Sequence, residues 1–356
     1  MKAKKIVLAV TGVLAAALVF LAVQRLLMPK YQKGIIEGSM IEEYYRAEEP
    51  HEVLFLGDCE VYENFSPVKM YREYGISSYI RGSGEQYIWQ SYYLLRDTLR
   101  HEIPRVVVLT IHSLQFDESR VEEYNRMTLD GMNWSSDKVE AIKASMMADE
   151  HFVDYVFPIL RFHYRWNELE AQDFEHFFSK DRISYNGYYM RCDVKPFTGF
   201  PPKPPLGNNL LGERPLSYLA KIADLCEEKG IKLVLIKAPT EYPFWYEEWD
   251  EQIEAFAAPR GLPYLNMIGN EEIGLDWQTD TYDAGLHMNL SGAEKMAVYM
   301  GRYLKDHYEL TDYRNDPEVS AIWNEISTDY DNMARIQQEQ FEQFGEIYSF
   351  GTTATN

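Results

Sequence analysis

The chain has 356 residues, of which 35 are basic and 56 acidic, so its formal net charge is −21. Binding to a phosphate backbone depends on lysine and arginine, so this balance excludes a nucleic-acid partner. A hydrophobic content of 46% predicts at least one buried core and excludes wholesale disorder.

The first 30 residues have the pattern of a membrane segment. Lys2, Lys4 and Lys5 precede an uncharged apolar run, 6–23, and Arg25 follows it. About 18 apolar residues just span a bilayer as a helix, and basic residues ahead of them favour a cytoplasmic N-terminus. We therefore expect a single-pass anchor in the cell membrane, with the main domain extracytoplasmic. A cleaved signal peptide is the alternative, although the run is long for one and a small-x-small cleavage site is missing.

Five short β-rich runs alternate with amphipathic stretches between residues 50 and 310, which is typical of an α/β domain with a mainly parallel sheet. The runs are 53–56, 76–80, 105–111, 231–236 and 262–267. Apolar residues at helical spacing around Ile88, Leu219 and Ile253 predict helices between them. The predicted fold is a three-layer, flavodoxin-like sandwich.

Two further segments flank or interrupt this domain. Residues 118–214 are rich in Met and aromatic residues and then in Pro and Gly, and we interpret them as a helical insertion laid over the strand ends. Within 315–356, spaced apolar residues predict an amphipathic helix, for which packing on its own domain is favoured over packing on a partner. Those residues are Trp323, Ile326, Tyr330 and Met333. The ending GTTATN is predicted to be disordered.

The three cysteines, Cys59, Cys192 and Cys226, are too few for a disulfide framework, and no CxxC pair suggests zinc. A Cys192–Cys226 pair would leave Cys59 free, but spacing does not decide the pairing. The acidic residues near Asp280 lack the ligand spacing of a calcium loop, so neither a metal nor a cofactor is expected.

The first predicted strand runs directly into Gly57, Asp58 and Cys59. A tight strand-to-helix turn exposes a nucleophile at the carboxyl edge of a sheet, where ligands of open α/β folds bind. A thiol there attacks an acyl carbon if a base takes its proton. The structural alternative is a small side chain that fills space at a strand end.

Asp283 and His287 lie in a loop before the last core helix, whose start is marked by the capping-box spacing of Ser291 and Glu294. A carboxylate that holds one imidazole nitrogen leaves the other free to act as a base, as a catalytic triad requires. The alternatives are that His287 caps the helix and that Asp283 is a turn residue.

With GDC after the first strand, glycines after the second, and Asp and His before the last helix, the sequence resembles the SGNH, or GDSL, hydrolase superfamily. More narrowly, it resembles the DltD-like Gram-positive branch associated with membrane-bound O-acyltransferases. The resemblance implies that Cys59 replaces the nucleophilic serine, that His287 and Asp283 complete the triad, and that the Gly82 N–H helps to bind the oxyanion.

Three features depart from that family. The nucleophile is cysteine, three residues rather than two separate Asp283 from His287, and no GxND motif follows the third strand. The asparagine of that motif is an oxyanion donor, and His112 or Ser113 would have to substitute for it. The carboxylate of Asp58 also opposes ionisation of the adjacent thiol.

Three functions remain open. The chain is an acyl-handling enzyme for a cell-envelope polysaccharide or teichoic-acid-type polymer, a catalytically inactive accessory protein for a membrane-bound O-acyltransferase, or a secreted esterase. An activated-ester adduct on Cys59 would favour the first.

Overall fold

The protein's structure is a computed structural model that describes residues 2–31, 35, 37–38, 40–179 and 182–351. The strands are β1 (Val53–Gly57), β2 (Ser78–Gly82), β3 (Val106–Thr110), β4 (Ser184–Tyr185), β5 (Tyr188–Tyr189), β6 (Lys232–Lys237) and β7 (Tyr264–Asn266). The helices are α1 (Lys2–Leu27), α2 (Cys59–Tyr62), α3 (Pro67–Tyr74), α4 (Ile88–Thr98), α5 (Glu122–Leu129), α6 (Ser136–Ser145), α7 (Phe152–Val156), α8 (Pro158–Phe162), α9 (Ala171–Ser179), α10 (Glu213–Lys229), α11 (Glu247–Ala257), α12 (Leu290–His307) and α13 (Pro317–Phe344).

The central sheet has five strands in the order β2-β1-β3-β6-β7, and every pairing is parallel. Because successive side chains of a strand point to opposite faces, Phe55 enters one core and Leu56 the other. Helices α3, α12 and α13 cover the first face, and α4, α10 and α11 cover the second. The predicted three-layer fold is confirmed, and the strand bounds differ from the predicted runs by at most two residues.

The strand order reverses between β1 and β3, so the crevice for ligands opens at the carboxyl ends of these two strands. Gly57 ends β1 with a positive φ of 146°, and a Cβ there would overlap the Thr110 side chain of β3. A side chain is therefore excluded where the chain turns toward Cys59.

The segment 118–214 is more than a cap. Helices α5 to α9 are followed by the β4–β5 hairpin, which the sequence analysis did not predict, although Asn186-Gly187 is a strong hairpin signal. The Ile80 N–H donates to the Asn186 carbonyl at 2.9 Å, so the turn partly pairs the exposed edge of β2. The aromatic rings of β5 enter the core with α13, which makes this part of the segment a structural component of the main domain.

Helix α13 packs against its own domain. Trp323 is fully buried, and its ring stacks on Tyr71 of α3 with centroids 4.6 Å apart. The Tyr330 hydroxyl bonds to Ser66 at 2.9 Å, directly ahead of α3. Of the predicted disordered ending, Gly351 is described and contacts the Arg182 backbone, and residues 352–356 lie outside the described residues.

Helix α1 is the one helix among the described residues that is long and apolar enough to cross a membrane, by length and composition. Its mean hydropathy is 2.9 in the most apolar window, and none of that window is buried by the rest of the protein. A helix exposed and apolar on every side fits an anchor or a signal sequence better than a core helix.

All three cysteines are free thiols. Cys192 packs on the core that contains Phe55, and Cys226 is buried in the core on the opposite face of the sheet. The Cys192–Cys226 pair considered from the sequence is therefore not formed, because the sheet separates the two residues.

Candidate active site

Cys59 is the first residue of α2, directly after the turn that ends β1. The Asp58 side chain caps this short helix and accepts a hydrogen bond from the Glu60 N–H at 3.1 Å. Asp58 is buried, whereas Cys59 is half-buried. The cap thus fixes the direction of α2 and places the thiol at the carboxyl edge of the sheet.

Asp283 orients His287 through two contacts. Its Oδ2 lies 2.6 Å from His287 Nδ1, and its Oδ1 accepts the His287 backbone N–H at 2.8 Å. An antiparallel bridge between Thr281 and Met288 closes the loop. The carboxylate therefore holds Nδ1 as a donor and leaves Nε2 as the nitrogen that exchanges protons.

Glu63 is a second carboxylate beside the same imidazole, and the sequence analysis missed it. Its Oε2 lies 2.8 Å from His287 Nδ1, as an ion-pair contact without good hydrogen-bond geometry. Glu63 is buried and follows Cys59 by four residues, about one helical turn. That spacing is the one sequence signal that points to it, since residues i and i+4 share a helix face.

Cys59 and His287 lie close enough to interact electrostatically: the imidazolium lowers the pKa of the thiol, and Cys59 in turn raises the pKa of His287. His287 Nε2 is nevertheless buried without a hydrogen bond of good geometry among the described residues. Hydrogen bonds between catalytic groups tighten on substrate binding, so this geometry is compatible with proton transfer.

The resting protonation states follow from the surrounding charges. Burial raises the pKa of the Cys59 thiol to about 12, and Asp58 and Glu63 raise it too, while His287 lowers it. Burial alone would lower the pKa of His287, but Glu63, Cys59 and Asp283 together raise it well above its usual range. At neutral pH the pair therefore rests as a neutral thiol beside an imidazolium.

Asp58 pairs with a second histidine, across the crevice between β1 and β3. Its Oδ2 lies 2.6 Å from His112 Nδ1. Burial alone would lower the pKa of His112, but Asp58 and Glu60 raise it. Burial likewise opposes ionisation of Asp58, but His112 outweighs it and the pKa of Asp58 is lowered. The Asp58 charge that disfavours the thiolate is thus fixed in place by an ion pair.

Of the three predicted oxyanion donors, Gly82 ends β2, whereas His112 and Ser113 lie in the turn of 3-10 helix that follows β3. Gly82 pairs in register with Gly57, and a Cβ there would lie 3.0 Å from Val61 of α2. Ser113 Oγ and His112 Nε2 are both buried without a hydrogen-bond partner among the described residues. Each of these two groups retains a donor for a bound ligand, which is what an oxyanion requires.

A buried ion pair supports the floor of this crevice. Glu60 of α2 pairs with Lys237 at the end of β6, and its Oε2 accepts the Thr110 hydroxyl at 2.8 Å and the Ala238 N–H at 3.2 Å. These contacts tie α2 to β3 and β6. Loss of one partner would leave a buried charge unpaired and displace the turn that carries Cys59.

Aromatic and charged side chains surround the thiol and the imidazole. The Tyr282 ring stacks on His287 with centroids 6.0 Å apart, and the Arg191 guanidinium lies 4.2 Å from the Tyr282 ring centroid. Burial raises the pKa of Glu37, a residue that follows α1, and the nearby Glu63 carboxylate raises it further. Glu37 therefore lies near Glu63, beside the site.

The cap of α12 differs from the prediction. Asn289, rather than Ser291, is the N-cap, and its side chain accepts the Gly292 N–H at 3.2 Å. Ser291 lies inside the first turn. The Asn289 amide also donates to the Thr279 carbonyl at 2.8 Å, which stabilises the loop ahead of His287 and explains why Asn289 is the cap.

Among the described residues, no group of three or more His, Cys, Asp or Glu side chains is arranged to hold a metal ion. The cluster around His287 combines an imidazole, a thiol and carboxylates. Groups of these kinds are able to transfer protons to and from a thiol.

Comparison with known proteins yields no family model and no curated protein that matches this sequence. Among solved structures, a putative acylhydrolase from Bacteroides fragilis NCTC 9343 is 12% identical, with 80% of this chain and 94% of that chain covered and a TM-score of 0.34. A GDSL-like lipase from Bacteroides thetaiotaomicron VPI-5482 is 13% identical, with 75% and 95% covered and a TM-score of 0.35. Both TM-scores lie below 0.5, so these similarities carry no argument about the present chain.

Proposed function

We propose that the protein is an SGNH-like enzyme, related to the DltD-like branch, in which Cys59 accepts an acyl group and His287 moves the protons. The observation that carries this proposal is the electrostatic interaction of a thiol on the β1–α2 turn with an imidazole that Asp283 holds at 2.6 Å. The unpartnered Ser113 Oγ and His112 Nε2 supply donors for the oxyanion.

The reaction has two acyl transfers. Neutral His287 takes the thiol proton, Sγ bonds to the acyl carbon, and the carbon–oxygen bond of the donor ester breaks as the imidazolium protonates the leaving alcohol. In the second half, His287 takes the proton of an acceptor hydroxyl or of water, the oxygen attacks the thioester, and Sγ regains a proton. No cofactor enters this sequence.

The location of the domain outside the cytoplasmic membrane limits the acyl acceptor to molecules of the cell envelope. Helix α1 acts as a single-pass anchor with the basic residues ahead of it in the cytoplasm, so that the sheet and Cys59 lie outside. The acceptor is then a polysaccharide or teichoic-acid-type polymer, and a membrane-bound O-acyltransferase is the partner that supplies or uses the acyl group.

Mass spectrometry of the purified chain tests the covalent step. Brief incubation with p-nitrophenyl acetate is expected to add one acetyl group to Cys59, and hydroxylamine is expected to remove it. Cys192 and Cys226 are controls within the same chain, because burial raises the pKa of each thiol to about 12 as it does for Cys59, and neither has an imidazole beside it. Labelling of all three at equal rates, or of none, contradicts the proposal.

The raised pKa of the Cys59 thiol favours a second candidate function, a catalytically inactive accessory protein for the acyltransferase. A thiol that stays neutral is a weak nucleophile. In that case Cys59→Ala leaves polymer acylation in cells unchanged, whereas deletion of α1 abolishes it. The enzymatic proposal predicts that both changes abolish acylation.

A further inference from the structure

An exposed apolar surface lies on the segment that follows α6, beside the N-terminal helix. Its members are Phe157, Leu160, Tyr164, Trp166, Phe174 and Phe178, and we refer to these six residues as the aromatic surface. Trp166 is 72% exposed and Phe178 is 80% exposed. So many large apolar side chains together on one surface indicate an interaction site, because scattered exposure of single residues is the ordinary case.

The aromatic surface is held against the C-terminal end of α1. Helices α8 and α9 and the turn between them contact α1, and Arg165 donates to the Leu27 carbonyl, the last of that helix, at 2.9 Å. Arg165 also pairs with Asp173 of α9 at 2.7 Å. Charged groups thus mark the level at which α1 ends, and the apolar side chains lie next to it.

One contact gives the depth of this surface relative to a membrane. The Phe157 ring lies 6.3 Å from the Phe20 ring of α1, centroid to centroid. Phe20 precedes Val23, the end of the uncharged run, by three residues, which corresponds to about 5 Å along a helix. If α1 spans a bilayer, the Phe157 ring is therefore below the hydrocarbon boundary, and it cannot be in water.

We propose that the aromatic surface is embedded in the outer interface of the bilayer, so that α8 and α9 form a second, monotopic attachment beside α1. Interfacial helices bury an apolar face about 5–10 Å into the boundary of headgroups and acyl chains, and Trp and Tyr prefer this depth. The apolar face of α9, with Phe174 and Phe178 four residues apart, has this form.

Electrostatic attraction to lipid headgroups does not explain this attachment, and a neutral lipid is therefore the appropriate one for a test. The chain as a whole has a net charge of −21, so an anionic bilayer repels it, and the burial of apolar side chains must supply the attraction. The consequence is geometric. A single spanning helix allows the domain to tilt relative to the bilayer, whereas a second attachment beside it restricts this tilt and fixes the distance of Cys59 from the membrane surface.

Photo-crosslinking of the full-length chain in phosphatidylcholine vesicles that contain a diazirine fatty acyl chain tests the proposal. Lipid adducts are expected on α1 and on peptides within 152–178. Ile103, Leu210 and Phe344, which are 64%, 71% and 57% exposed, are controls for exposed apolar residues elsewhere and are expected to remain unlabelled. The Phe178→Glu variant, in which a largely exposed side chain is changed, is expected to reduce the adducts on α9 to the control level, and the matched Leu210→Glu variant leaves them unchanged.

Adducts on α1 without adducts in 152–178 overturn the proposal, because the aromatic surface is then outside the lipid. Absence of adducts on α1 overturns the anchor and this inference together. Acetylation of Cys59 is measured separately, so the failure of the membrane attachment is distinguishable from a failure of the proposed chemistry.

Discussion

Two histidine–carboxylate pairs lie at the carboxyl edge of the sheet, and their local geometry is nearly the same. In each pair, Nδ1 lies 2.6 Å from an aspartate oxygen, and Nε2 is buried without a hydrogen-bond partner among the described residues. Their surroundings differ. His287 interacts with the Cys59 thiol and with Glu63, whereas His112 shares its aspartate with the N-terminus of α2.

A carboxylate-bound imidazole is therefore not by itself a catalytic base. His287, held by Asp283, has its positive charge beside the sulfur and lowers the pKa of the Cys59 thiol. Asp58, the partner of His112, raises that pKa. We therefore propose that His287 transfers protons, and that His112 fixes Asp58 and donates to the oxyanion.

The largest expected effect comes from His287→Gln. Removal of a general base costs about a hundred- to ten-thousand-fold in rate, and we expect the rate of Cys59 acetylation to fall within this range. The rate is measured by mass spectrometry over time. His112→Gln is the matched variant, and its loss is expected to be smaller because the proposed role of His112 Nε2 is to donate to the oxyanion, without taking a proton from sulfur. A larger loss in His112→Gln than in His287→Gln would reverse the two assignments.

Ser113→Ala tests the other predicted donor beside His112. Loss of one oxyanion donor typically costs about a hundred- to a thousand-fold, and the single free hydroxyl of Ser113 is expected to reach the low end of that range. Alkylation of Cys59 by iodoacetamide forms no oxyanion, so its rate should remain unchanged. Ser217→Ala on α10, where the hydroxyl donates to the Arg214 carbonyl, is the control. Equal loss in acetylation and alkylation would indicate a displaced thiol instead of a missing donor.

Sequence periodicity was sufficient to predict the sheet and the helices α4, α10, α11 and α13, because these elements bury apolar faces whose spacing is visible in the chain. It was not sufficient for Glu63, since its role depends on a loop more than two hundred residues away folding against it. The β4–β5 hairpin was also missed, although its Asn-Gly turn was readable, because the surrounding segment was interpreted only as a cap. Asn289 was missed as a helix cap because Ser291 and Glu294 offered a stronger local pattern.

Asp58→Asn is expected to make Cys59 more reactive. Asparagine caps a helix about as well as aspartate, so α2 should remain in place, while one of the charges that raise the thiol pKa is removed. A fall of one pKa unit gives about ten times more thiolate at a fixed pH below the pKa. The iodoacetamide rate is the measurement, and Asp283→Asn is the opposing control because it weakens the imidazolium that lowers the same pKa. A slower rate in Asp58→Asn would show that the His112 pair positions the thiol rather than opposing its ionisation.

Glu63→Gln is expected to shift the pH dependence of Cys59 acetylation. Of the four variants, it should change the maximal rate least. Acetylation of the unaltered protein should rise as pH increases through the raised pKa of His287, because only the neutral imidazole accepts the thiol proton. Without the Glu63 charge this pKa is lower, and the rising limb moves to lower pH. Glu73→Gln on α3, whose carboxylate pairs with Lys69, is the control and should leave the profile in place.

The same variant makes a prediction for stability, with a definite sign. A histidine whose pKa is higher in the folded than in the unfolded chain stabilises the fold fully below about pH 6.5, the unfolded value, and this contribution is lost as pH rises through the folded value. Urea unfolding between those limits should therefore show a smaller loss of stability with rising pH in Glu63→Gln. Burial alone would lower the pKa of His51, but Glu102 and Glu49 raise it to about 9. His51 therefore also makes stability depend on pH, but it does so equally in the unaltered protein and in Glu63→Gln, so its contribution cancels when the two are compared. An unchanged slope would mean that Asp283 alone holds the charge on His287, and the two histidine pairs would then be equivalent in their electrostatics as well as in their geometry.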